Sequence, residues 1–157
     1  MISNIRKFFD KNLQRAAHDN TEQSSRLPLA TAALMFELMK TDNRYDQRES
    51  DALEQLLRMK FNLDAEKLSE IVALAEEESH KSTSLYEFTS LINTEYNNEE
   101  RVQLVEHLWE VAFADQHLDR YEVHMIRKVA DLIHVRHSDF IRTKLAVKAR
   151  LDGTDSQ

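Results

Sequence analysis

Six carboxylates in two matching groups are the residues best placed to do chemistry in this sequence. Asp42, Asp46 and Glu49 fall in the stretch Asp42-Asn43-Arg44-Tyr45-Asp46-Gln47-Arg48-Glu49, and Asp115, Asp119 and Glu122 fall in Asp115-Gln116-His117-Leu118-Asp119-Arg120-Tyr121-Glu122. Both read D-x-x-apolar-D-x-x-E. A converging set of such hard oxygen donors would take Ca²⁺, Mg²⁺ or Mn²⁺ ahead of Zn²⁺, with His117 able to add one nitrogen. An EF-hand is excluded, because its bidentate Glu follows the first Asp by about eleven residues and here the Glu follows by seven.

The competing role for the same acids is helix initiation. Asp46 precedes a predicted helix whose third residue is Glu49, and Asp119 and Glu122 stand the same way before a second helix, each pair forming a D-x-x-E variant of the capping box. A cap of this kind stabilises by about 1 kcal/mol. Asp42 and Asp115 are not explained by it. Each follows a predicted helix, where a negative charge is mildly unfavourable, so each either accepts hydrogen bonds in an Asx-turn or converges on a cation.

Other reaction chemistries find no foothold. The chain has no cysteine, which removes disulfides, thiolate metal sites and cysteine nucleophiles. It contains no H-E-x-x-H, no Gly-rich phosphate loop and no G-x-S-x-G elbow. Glu77-x-x-His80 has the spacing used in di-iron bundles but lacks a second copy, and reads as a solvated acidic helix end. His134 and His137 flank a helix boundary, and His107 and His124 are expected at helix surfaces beside Trp109 and Met125.

The elements that must position the acids are helices. In 157 residues there is one Gly and one Pro, far too few breakers for the turns of a sheet protein, so a single all-α domain is expected. Apolar spacing predicts helices from Met1 to about His18, Pro28 to Lys40, Gln47 to Lys60, Glu66 to His80, Leu85 to Thr94, Glu99 to Ala114, Arg120 to His134 and Ser138 to Leu151. Asp64, Ser84 and Ser138 are the expected caps, with Leu53, Leu56, Leu57 and Met59 turned inward on the third helix. Residues 1–25 read as an amphipathic helix plus a polar linker from Asn20 to Arg26. Residues 26–151 read as the domain, with Pro28 an early helix residue, and 152–157 as a disordered tail.

A shift of seventy-three positions lays Asp42 on Asp115, Asp46 on Asp119, Glu49 on Glu122 and Phe36 on Trp109; after a one-residue slip Leu63 meets Val135 and Leu68 meets Phe140. The domain is therefore expected to be a helical bundle of two pseudo-symmetric three-helix repeats, about 29–72 and 99–145, plus the N-terminal helix. Such symmetry would place both acidic loops near the same end of the bundle.

An apolar helix ending in A-D, an acidic D-x-x-[ILVY]-D-x-x-E loop and a second apolar helix, all duplicated, resembles the TerB-like (tellurite resistance protein TerB) domain. The stretches carrying it are Ala32 to Leu57 and Leu104 to Val135. The family loop commonly has Gly after the first Asp, where Asn43 and Gln116 stand here. The resemblance implies an all-helical, non-catalytic module of bacterial stress-response and membrane-surface assemblies, with metal binding at Asp42, Asp46, Glu49, Asp115, Asp119 and Glu122.

Charge and hydropathy bear on partners. The net charge of -7 and pI near 5.5 repel a phosphate backbone, so nucleic acid is not an expected partner and a protein is. The basic residues Arg142, Lys144, Lys148 and Arg150 read as offsetting the last helix dipole. With no signal-peptide core and no apolar run long enough to span a bilayer, a cytoplasmic protein is expected. Ile2, Ile5, Phe8, Phe9 and Leu13 opposite Arg6, Lys7 and Lys11 allow residues 1–18 either to cover the bundle or to touch the anionic inner membrane surface, the core role being favoured.

Overall fold

The computed structural model describes residues 4–13, 20–41, 47–77, 84–114 and 120–155. Among them are eight helices and no strand: α1 (Asn4–Asn12), α2 (Asn20–Thr41), α3 (Gln47–Phe61), α4 (Ala65–Glu77), α5 (Ser84–Glu95), α6 (Asn98–Ala114), α7 (Arg120–Leu132) and α8 (His137–Asp155). The all-α expectation holds. α2 and α6 are the central helices, packed on one another; α4 lies on α2 and α8 on α6, while α1 sits on α5. No described helix is long and apolar enough to cross a membrane.

The core follows from helical spacing. On α2, Leu29, Ala30, Ala32, Ala33, Leu34 and Phe36 are all buried, so this helix is covered on several sides and its small alanines admit close neighbours. On α6, Leu104, Val105, Leu108, Trp109, Val111 and Ala112 are buried. Met59 is the exception to the predicted core, at 85 % exposed. Leu53 and Leu57 set the inward face of α3, and a residue two places beyond Leu57 is turned about 200° away from it.

Several boundaries differ from the sequence reading. α1 ends at Asn12 rather than near His18. α2 begins at Asn20 rather than near Pro28, so Pro28 is interior and leaves the Ser24 carbonyl without its helical donor. One turn on, the Thr31 hydroxyl donates to the Leu27 carbonyl at 2.9 Å. α8 runs to Asp155 instead of ending at Leu151, so Arg142 and Lys144 are far from its last turn and do not offset its dipole. Ser138 is not its cap either: the Arg136 carbonyl accepts from the Asp139 and Phe140 amides, which places Ser138 inside the first turn.

The caps of α4 and α6 are well formed. The Asp64 carboxylate accepts the Glu66 amide at 2.8 Å, as predicted. At α6 the Glu100 amide donates to the Asn97 side chain at 2.9 Å and the Asn97 amide donates to the Glu100 carboxylate at 3.0 Å, a reciprocal capping box that also satisfies a buried acid. The C-terminus of α7 is fully accounted for. Its last carbonyls, from Ala130 to Ile133, accept respectively from the Val135 amide, the His134 amide, the Asn93 side chain and the Arg101 guanidinium, the four orphan acceptors every helix end must place.

Two chain reversals share one backbone feature. Among the described residues, Asn62 (φ 55°) and His134 (φ 59°) have positive φ, and they are equivalent under the slipped alignment that pairs Leu63 with Val135. Each ends the middle helix of its unit in the left-handed conformation of a C′ residue. Leu63 and Val135, next in sequence, are both buried.

Candidate functional site

α2 ends at Thr41 and α6 at Ala114, so the two central, mutually packed helices are the ones whose chains run directly into Asp42 and Asp115. α3 and α7 then start at Gln47 and Arg120, which makes Asp46 and Asp119 the residues immediately before a helix and Glu49 and Glu122 each the third residue within one. Asp42, Asp46, Asp115, Asp119 and His80 lie outside the described residues, as do the side chains of Glu49, Glu77 and Glu122. Among the described residues no group of three or more His, Cys, Asp and Glu side chains is placed to hold a metal ion.

What is described is the base on which the second loop stands. In the last two turns of α6, Glu106 and Glu110 share one cation from α8, the Arg150 guanidinium, at 2.8 Å and 3.4 Å. His107 Nδ1 is 3.7 Å from Glu110 Oε2, an ion-pair separation rather than a hydrogen bond, and this buried nitrogen has no hydrogen-bond partner. The imidazole meets the Phe61 ring edge-on at 5.1 Å, which brings the end of α3 against α6. His107 therefore contacts Phe61 rather than Trp109, contrary to the sequence expectation.

The electrostatics favour a charged Glu110. The neighbouring His107 imidazole is the largest influence; burial opposes it, and the positive charges of Arg150 and Lys60 add to it, holding the Glu110 carboxyl below its ordinary value of 4.5. Three further contacts fix α8 to α6. Trp109 Nε1 donates to the Phe140 carbonyl at 3.2 Å, its ring packs against Phe140 at 5.1 Å, and Lys144 Nζ lies 5.7 Å from the ring centroid. Of the basic residues of α8, Arg150 acts laterally on α6 by bridging the two glutamates, whereas Arg142 pairs within α8 with Asp139 at 3.0 Å.

One pair of acids escaped the sequence reading although the signal was there. The same shift of seventy-three positions that pairs Asp42 with Asp115 also pairs Glu37 with Glu110. Glu37 is 3 % exposed and Glu110 is half-buried, and each stands five residues before the first Asp of its loop. Extending the repeat one turn back into the helices would have found both.

The N-terminal helix is seated in the bundle. Ile5, Phe8, Phe9 and Leu13 are all buried, with Phe9 edge-on to Phe88 at 6.1 Å and tilted against Tyr96 at 5.7 Å. Its polar face carries exposed Arg6, Lys7 and Lys11. A lipid-facing role for this helix therefore requires that it first leave α5.

The family model described as Tellurite resistance protein TerB matches residues 28–145. No curated protein and no solved structure matches the chain.

Proposed function

Because this chain belongs to the TerB family, the match spanning both helix–acidic loop–helix units, we propose that it is a non-enzymatic binding module of bacterial tellurite-resistance and stress-response type. Its acidic loops, Asp42, Asp46 and Glu49 with Asp115, Asp119 and Glu122, hold a divalent cation, or failing that a basic surface of a protein partner. The observation that supports the reading best is that the helices running into the two loops are the mutually packed pair α2 and α6, so both loops issue from one rigid unit.

An ion bound only by the folded state raises its stability by RT ln(1 + [L]/Kd), about 1.4 kcal/mol at tenfold excess over Kd, or roughly 3–6 °C in melting temperature for a chain of this size. Thermal melts and calorimetric titration with Ca²⁺, Mg²⁺ and Mn²⁺ test this. The combined variant Asp42→Asn with Asp115→Asn is expected to abolish the shift while remaining folded, since neither residue immediately precedes a helix. Melts unmoved by millimolar levels of all three ions refute the cation form and leave the protein-docking form.

A further inference from the structure

The TerB match begins at residue 28, so α1 lies outside it, yet the surface that α1 covers belongs to the matched domain. That surface is a face of α5 together with the residue just past its end, with Phe88 edge-on to Phe9 and Tyr96 tilted against it. The seated helix uses four apolar anchors, Ile5, Phe8, Phe9 and Leu13, at i, i+3, i+4 and i+8, the register by which an amphipathic helix reads an apolar groove. Two polar contacts fix its direction and depth. The Tyr96 hydroxyl donates to the Leu13 carbonyl at 2.8 Å, closing the C-terminal end, and Lys11 Nζ reaches Glu70 on α4 at 3.3 Å.

We propose that this face of α5, with Glu70 at its rim, is a docking groove for an amphipathic helix of a partner protein, and that α1 is its resident competitor. The partner segment carries large apolar residues at the same four positions and a basic residue at the place of Lys11, so the groove selects for shape along α5 and for positive charge at Glu70. A helix of nine residues is marginal on its own in water, so α1 is helical only while docked, and its displacement by a longer or better anchored helix is a one-for-one exchange.

The probe is a fluorescent peptide with the sequence of residues 1–18, added to the full-length chain and followed by anisotropy. Saturable one-to-one binding is expected, at least tenfold tighter to a chain in which the resident helix is weakened by Phe9→Ala and a few-fold tighter to one carrying Lys11→Glu, and lost when the peptide itself carries Phe9→Ala. The charge reversal Glu70→Lys is expected to weaken the peptide, and a Lys11→Glu peptide to recover binding to it. Lys11→Glu leaves the core untouched, so it decides the matter where Phe9→Ala fails to fold. Absence of peptide binding to a folded Lys11→Glu chain overturns the proposal. So does flotation of that chain with anionic vesicles when no peptide binds, which assigns α1 to a lipid surface.

Discussion

Replacing Tyr96 by Phe removes one oxygen and nothing else from the seat of α1. The ring keeps its place against Phe9, 5.7 Å away, and the change removes the donor of the bond from the Tyr96 hydroxyl to the Leu13 carbonyl, 2.8 Å long and buried. Leu13 follows the last residue of α1, and its carbonyl is one of the acceptors that a helix end leaves without an internal donor. Losing the donor to a buried acceptor costs about 1–3 kcal/mol, more than the net worth of an exposed hydrogen bond, because the carbonyl is left desolvated and unpaired. Native-state amide exchange resolves where that loss falls. If α1 opens separately from the rest of the bundle, its amides from Phe8 to Asn12 should exchange roughly 5- to 150-fold faster in the variant, while those of α6 from Leu104 to Val111 change little. If α1 opens only with the whole molecule, both helices accelerate together. Unchanged exchange in both, with an unchanged urea midpoint, would refute the argument, since it would mean that the carbonyl is satisfied without Tyr96.

The remaining expectations concern charge and backbone. Glu110 has its carboxyl value lowered in the folded state, so its stabilisation is complete above the ordinary value of 4.5 and is lost as pH falls through the lowered one. The urea midpoint of the parent should therefore drop further between about pH 6 and pH 3 than that of Glu110→Gln, and equal drops would contradict the assignment. At the two left-handed positions, His134→Gly should relieve a backbone cost of about 1–2 kcal/mol and raise the melting temperature by about 2–6 °C. Asn62→Gly should change it by under about 1 °C, because Asn tolerates that conformation. Calorimetric melts of the two variants side by side measure the contrast.

Much of this architecture is local in origin and was readable for that reason. The scarcity of Gly and Pro dictated helices, and the apolar spacing on α6 named its buried face from Leu104 to Val111. Asp64 announced the start of α4 through a hydrogen bond only two residues long in sequence. Where the sequence misled, the deciding contact was distant or the signal was averaged over too short a window. Met59 was placed inward because it is apolar, although its angular position on α3 opposes Leu57. Residues 20–26 are polar and lack periodicity, so α2 was expected to start near Pro28. Arg150 was assigned to its own helix end, yet its partners Glu106 and Glu110 lie some forty residues earlier in the chain, on a helix that only tertiary packing brings beside it. The acidic loops were legible as repeated spelling, whereas a role in ligation depends on side-chain convergence, which spacing does not encode.

The burial of Trp109 gives the protein an optical gauge of its own. It is the chain's one tryptophan, fully enclosed, wedged between Phe113 and Phe140 with an ammonium group 5.7 Å from the ring centre. Emission from such an indole is blue-shifted and sensitive to the approach of that charge. Because it sits six residues before Asp115, at the joint where α8 clasps α6, any sliding of those two helices on occupation of the neighbouring loop will alter the signal without a dye or tag.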